Sequence, residues 1–273
     1  MVWQLTVRGS EAEVHAAAER LGFLEAGKAL AVTVLYNGET PAAEALYETE
    51  AEALAAQNEV GGDVAPLEDR DWVSVTQSGL HPVEAGMFLL HGSHDAPDAG
   101  GLISIVVDAG LAFGTGHHGT TEGCLRLFSD RLHTGTKYGR VLDLGTGSGV
   151  LAIAAAKALG TVVDASDIDA DAVEVTRANA DANGVGDLVN VWQADGLSDV
   201  RFGAYDLVFA NMLARPLMGM AADIAQVAER DVILSGILDE QAAEVAEVFS
   251  EAGLREMERV SLEWWTSLVV RAG

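Results

Sequence analysis

Residues 140–149, Arg-Val-Leu-Asp-Leu-Gly-Thr-Gly-Ser-Gly, constrain the fold of this chain more than any other stretch. A short apolar run carrying Asp143 gives way to three glycines at alternate positions, Gly145, Gly147 and Gly149. The segment Val-Leu-Ala-Ile-Ala-Ala-Ala-Lys, with the composition of a helix, follows directly. The pattern predicts a strand, a tight turn and a helix N-terminus. Glycines let the backbone turn sharply and let a ligand approach without meeting a Cβ. Asp167 follows at about the 20-residue separation at which an acid grips ribose hydroxyls in a nucleotide-binding βαβ unit.

The spacing narrows the nucleotide. Dinucleotide folds carry G-x-G-x-x-G, whose backbone amides embrace a pyrophosphate. Here the spacing is G-x-G-x-G, with an acid two residues before the first glycine. That acid repels a diphosphate and suits a ligand carrying an ammonium and a sulfonium. S-adenosylmethionine has both, with adenosine at one end and an amino acid at the other. The competing readings are an NAD(P) site and a flexible loop with a chance acid.

From residue 139 onward, strands and helices alternate. Strands are expected at 140–144, 162–166, 188–192, 205–210 and 231–235, and helices at 148–159, 169–183, 216–228 and 239–252. Two last strands, 256–262 and 266–271, close the sheet as a hairpin, giving seven strands. Such alternation builds βαβ units and a mostly parallel sheet covered on both faces. Ligands then lie beyond the carboxyl ends of the strands at the topological switch point, where Asp143, Asp167 and Asn211 fall.

The N-terminal region has a different rhythm. Residues 2–7 and 29–35 read as strands. Ser10 and Glu13 form a capping box before a helix carrying Val14, Ala17, Ala18 and Leu21. Thr40-Pro41 is expected to open a second helix through about Ala56. This gives a small α+β domain over 1–60, a turn-rich acidic linker over 61–71 and a larger α/β domain over 72–273. Within the larger domain, strands are expected near 87–91 and 102–107, a loop over 94–101, and a helix from about Thr120 to Leu132.

Composition limits partners and compartment. The 273 residues include 42 Asp+Glu against 16 Lys+Arg, a formal net charge of -26. This excludes a dominant basic footprint for nucleic acid. The same field would steer a basic protein partner inward, although a solvated acidic surface adapted to salt or solubility is the plainer reading. No apolar run reaches the ~18–20 residues of a membrane span, and no signal peptide is evident at the start. Cys124 is the one cysteine, in keeping with a reducing cytoplasm. A cytoplasmic monomer without membrane contact is expected.

Individual residues carry the chemistry. Asp167 can accept both ribose hydroxyls, while Asp169 reads as the N-cap of the next helix. Asn211, at the end of its strand, can hold an amine nucleophile through its carbonyl oxygen. The alternative is a cap for the following helix. The small, hydroxyl-rich run Phe113-Gly114-Thr115-Gly116-His117-His118-Gly119-Thr120-Thr121 can wrap the methionine end of the donor. Adjacent His117 and His118 point apart on most backbones and lack partners at metal-ligand spacing, so no metal is expected. Cys124 reads as a small buried helix residue. Trp264 and Trp265 read as core or sheet-face aromatics, with lining of the substrate mouth as the alternative.

Asp108 to Thr121 resembles the signature segment of the PrmA-type ribosomal protein lysine methyltransferases. Val141 to Gly149, Asp167-Ile168-Asp169, Ala210 to Leu213, Asp71-Trp72, Pro82-Val83 and Ser235 to Leu238 are also similar to that family's motifs and stand in the same order. The likeness covers about 70–273. It implies a Rossmann-like class I methyltransferase domain, a small substrate-recognition domain before it, and S-adenosylmethionine as cofactor. It implies donor-binding positions at Thr121, Gly145, Asp167 and Asn211, and methylation of lysine and N-terminal amines of protein eleven of the large ribosomal subunit. The chain departs from the pattern at Asp108-Ala109-Gly110, where the family has Asp-Pro-Gly, and its first 60 residues match only in outline. Alternatives are a lysine methyltransferase of another protein, such as an electron-transfer flavoprotein subunit, and a donor-binding module without catalysis.

Overall fold

The computed structural model describes all residues except 1, 24–28, 30, 36–39, 67–81, 94–96, 108–118, 199 and 201–204. Two compact units emerge, Met1–Trp72 and Val73–Gly273.

The first unit contains β1 (Trp3–Arg8), α1 (Glu11–Phe23), β2 (Ala31–Leu35), β3 (Ala42–Tyr47), α2 (Glu50–Val60) and β4 (Asp63–Pro66). Its antiparallel sheet has the order β2-β3-β1-β4. The capping box before α1 is present: the Ser10 amide donates to Glu13 Oε2 at 2.9 Å. A second one, Thr49 with Glu52, starts α2. Leu5, Leu21, Ala45, Tyr47, Ala53 and Ala56 form a small core.

Two expectations are corrected in this unit. Residues 42–47 are a strand, not the start of a helix. The alanines favour helix intrinsically, but β3 lies between β1 and β2, and sheet pairing overrides local propensity. The stretch read as linker from 61 also starts too early, because Asp63–Pro66 pairs antiparallel with β1. Asp63 sits on an edge strand, where charge blocks further pairing.

The second unit opens with a three-stranded sheet of β5 (Val83–Ala85), β6 (Phe88–His91) and β7 (Ile103–Val106). Then follow α3 (Gly119–His133), β8 (Val141–Leu144), α4 (Val150–Leu159), β9 (Val163–Asp167), α5 (Ala170–Ala182) and β10 (Val189–Gln193). The rest is β11 (Tyr205–Asn211), α6 (Ala214–Gly219), α7 (Ala221–Val227), β12 (Ala228–Leu238), α8 (Ala242–Glu251), β13 (Leu254–Leu262) and β14 (Trp265–Ala272). The seven-stranded sheet has the order β10-β9-β8-β11-β12-β14-β13. Five strands are mutually parallel, β14 runs antiparallel to β12, and β13 turns back antiparallel to β14.

Both faces of this sheet are covered. Along β11, Leu207 and Phe209 enter one core with Phe128 and Ile153, while Val208 and Ala210 enter the other with Ile224 and Phe249. A strand buried on both faces reads as a continuous apolar run. The expected helix over 216–228 is two short helices broken at Met220, and the last helix starts at Ala242 after a single tight turn. Strand β14 is anchored to β12 by Asp231, which takes a bond from Arg271 Nε at 2.7 Å and one from the Tyr138 hydroxyl at 2.7 Å.

Candidate active site

The chain turns from one side of the sheet to the other between β8 and β11. β8 leads outward to β9 and β10, after which the chain returns to place β11 on the opposite side of β8. The carboxyl ends of β8, β9 and β11 therefore surround the switch-point crevice.

The glycine loop is built as the sequence implies. Gly145, Gly147 and Gly149 have φ of 70°, 56° and 82°, a region costly for other residues. A Cβ on Gly145 would lie 3.0 Å from Met212 Cε. The loop is stapled on both sides. The amides of Gly145 and Thr146 donate to the Ser166 carbonyl at 2.8 and 3.0 Å. From α5, Thr176 Oγ1 donates to the Gly147 carbonyl at 3.0 Å and Asn179 Nδ2 to the Ser148 carbonyl at 2.8 Å.

Asp143 has a place the sequence did not indicate. It is 1% exposed, and its Oδ2 accepts from Thr146 Oγ1 at 2.7 Å and from the Ala152 amide at 3.1 Å. The carboxylate thus holds the loop and one of the unpaired amides at the start of α4, where negative charge is favoured. Both bonds use Oδ2, which is thereby committed beneath the loop. Burial pushes its pKa up to about 6, against the lowering effect of these two bonds.

That shift has a measurable consequence. A carboxyl that holds its proton more tightly when folded makes stability fall as pH rises from its unfolded value near 4 to about 6. Asp143→Asn keeps an oxygen for Thr146 and Ala152 without the buried charge. Its stability should match that of the wild type most closely below pH 4. It should then gain by about 1.4 kcal/mol per pH unit up to pH 6 and stay ahead by roughly 3 kcal/mol above it. Parallel melting curves from pH 4 to 8 would contradict this.

Asp167 ends β9 and faces the crevice half-buried. Its Oδ2 accepts the Gly147 amide at 2.9 Å and its Oδ1 the Asp169 amide at 3.0 Å. Each carboxylate oxygen keeps a further lone pair for a ligand hydroxyl. Asp169 caps α5, taking the Asp171 amide at 2.9 Å. Asn211 ends β11, partly exposed. It lies in register with Ser235 of β12, and its amide has no hydrogen-bond partner among the described residues.

Thr121, in the first turn of α3, is fully buried, and its Oγ1 has no partner among the described residues. Such an orphaned hydroxyl calls for a polar group. Phe113, Gly114 and Thr115, with His117 and His118, lie outside the described residues. Cys124 is buried, and burial raises its thiol pKa well above the ordinary range, as suits a packing residue. Trp264 is corrected from core to surface, being 58% exposed.

Sequence reasoning passed over Asp195. It is exposed in the turn after β10, beside Asp167, whose carbonyl takes the Ala194 amide at 2.8 Å. The signal was the Ala-Asp-Gly turn, with Gly196 at φ 59°. Its exposed carboxylate is a candidate acceptor at the same edge of the sheet.

A family model described as "Ribosomal protein L11 methyltransferase (PrmA)" matches residues 6–273. The chain belongs to this family. It is 43% identical over 242 residues to the ribosomal protein L11 methyltransferase of Rhodopseudomonas palustris, spanning 86% of this chain and 82% of the relative. It is 45% identical over 225 residues to that of Bradyrhizobium diazoefficiens, spanning 80% and 76%. The crystal structure of a ribosomal protein L11 methylase from Lactobacillus delbrueckii subsp. bulgaricus superposes with a TM-score of 0.63 at 28% identity. It covers 71% of this chain and 100% of that one. The seven-stranded sheet is thus the class I methyltransferase fold, as the PrmA-type motifs implied. The described residues suit the family's methyl donor: a glycine cradle without side chains, an acid at the tip of β9, and an orphaned hydroxyl at Thr121.

Proposed function

We propose that this protein transfers methyl groups from S-adenosylmethionine to lysine side-chain amines, and to the N-terminal amine, of ribosomal protein L11. The match to the PrmA family model over residues 6–273 is the observation that carries this reading. The sulfonium donor, when bound, supplies an electrophilic methyl carbon and a neutral thioether leaving group. This chain's residues have the simpler tasks of placement and exclusion of water.

Asp167 would accept the ribose hydroxyls, and the backbone of Gly145 to Gly149 would lie along the donor. The Thr121 hydroxyl would bond a polar atom at its methionine end. Phe113, Gly114 and Thr115 keep their proposed place beside that end. Asn211 would hold the incoming amine through its carbonyl oxygen, aligning the nitrogen lone pair with the methyl carbon. The amine forms the new C–N bond as the C–S bond breaks, its electron pair leaves with sulfur, and a proton is lost from nitrogen to water. A free lysine amine, pKa near 10.4, is mostly protonated at neutral pH. Desolvation of the amine beside Asn211 would favour its neutral form, while nearby carboxylates would favour the charged one. The unit before Trp72 would recognise the ribosomal protein, and the working form would be a cytoplasmic monomer.

The direct test is incubation with isotope-labelled S-adenosylmethionine and ribosomal protein L11, followed by mass spectrometry. Labelled lysines on L11 are expected. Donor binding with no labelled L11 would leave the chain a binding module or direct it to another protein. Stabilisation by NADH rather than by the methyl donor would overturn the reading altogether.

A further inference from the structure

The turn between β13 and β14 is strained where it need not be. Leu262 pairs with Trp265, so Glu263 and Trp264 form a two-residue turn. Their φ values are 56° and 100°, and they are the only non-glycine residues in the left-handed region among the described residues. A hairpin with positive φ at both central positions is normally made by Asn-Gly or Gly-Gly. A β-carbon and an indole there cost of order 1–3 kcal/mol, and such cost concentrates at functional positions. Burial offsets only part of it, since more than half of Trp264 is exposed.

The location of the turn gives the strain a meaning. Asn211 is in register with Ser235, and Ser235 Oγ lies 2.7 Å from Ser267 Oγ, so these three form one row across β11, β12 and β14. Trp264 is three residues further along, beyond the carboxyl edge. It therefore lies about 10 Å above the row and about 10 Å to the side of Asn211. The turn is fixed at that edge. The Asp239 amide donates to the Trp264 carbonyl at 3.0 Å, and Thr266 Oγ1 donates to Asp239 Oδ1 at 2.6 Å. Its other flank abuts the start of α3, where a Cβ on Gly119 would lie 2.9 Å from the Leu262 carbonyl. Leu213, two residues past Asn211, is also exposed, so large apolar side chains stand at this rim on two separate strand ends.

We infer that Trp264 is a substrate-positioning residue: its indole packs against the stretch of protein substrate that carries the reacting lysine. It holds that stretch so that the amine reaches Asn211. At this separation it meets the flanking chain rather than the amine. A flat aromatic face suits a basic segment, covering methylene stems and attracting their cationic ends. The inference rests on the reading of the site as a lysine methyltransferase, and the wild-type assay with L11 tests that reading separately.

Trp264→Gly separates the inference from a structural role, because glycine relieves the turn while removing the indole. The melting midpoint should stay equal or rise. Calorimetric affinity for S-adenosylmethionine should remain within twofold, while KM and Kd for L11 should rise about tenfold. Trp264→Phe should recover most of that affinity. A fall in melting midpoint for Trp264→Gly would make the residue structural. Unchanged KM and Kd for L11 in a wild-type-active background would overturn the assignment.

Discussion

Asp167→Ala should lower affinity for S-adenosylmethionine by roughly 100-fold or more, with the fold intact. Two hydroxyl bonds to a charged acceptor are at stake, each contributing about 1.5–3 kcal/mol. The same change frees the Gly147 and Asp169 amides, so the loop loses a staple as well as a ligand contact. Asp167→Asn distinguishes the two. It can still accept the Gly147 amide but presents no charge and only one acceptor oxygen to the ribose, so its affinity should lie between those of alanine and wild type. Asp167 is partly exposed at a strand end, and the melting midpoint of the ligand-free protein should fall by no more than about 4 °C. Calorimetry showing alanine and wild type binding alike would remove the acid from the site.

Asn211→Ala should behave differently. Turnover on L11 should drop about 100-fold, the size of effect that follows when a reacting group is misplaced by about an ångström. Donor affinity should stay within about twofold. Because the Asn211 side chain bonds to no described neighbour, its removal disturbs no network, and stability should barely move. Single-turnover kinetics with saturating donor isolate the chemical step. Equal losses in donor affinity and in rate would instead make Asn211 part of the donor cradle.

The legible parts of this molecule were those where local chemistry and tertiary structure agree. The glycine loop, the capping box at Ser10 and the cap at Asp169 depend on neighbours a few residues away, and each forms as its spacing dictates. The parallel strands were readable because burial on both faces leaves unbroken apolar runs. Ala42–Tyr47 was not, since its alanines carry no strand signal and only β1 and β2 impose the conformation. Asp143 was located in sequence, but its protein neighbours were not legible. Nothing in Asp-Leu-Gly-Thr says that the carboxylate folds back under the loop to Thr146 and Ala152. Asp195 was missed because one acid in an acidic chain has no contrast until the strand end carrying it is seen beside Asp167. The strain at Glu263 and Trp264 has no sequence signature beyond the lack of glycine in a two-residue turn.

The two side chains that reach from α5 to the glycine loop have one more consequence. Thr176 and Asn179 hold the carbonyls of Gly147 and Ser148 from the neighbouring helix. The mould is therefore set before anything is poured into it. Capture of the donor then requires little freezing of main chain, a cost that otherwise weakens association. Precision at this bend depends on a splint lying behind it, so wear on that splint would blur recognition without touching a single contact surface.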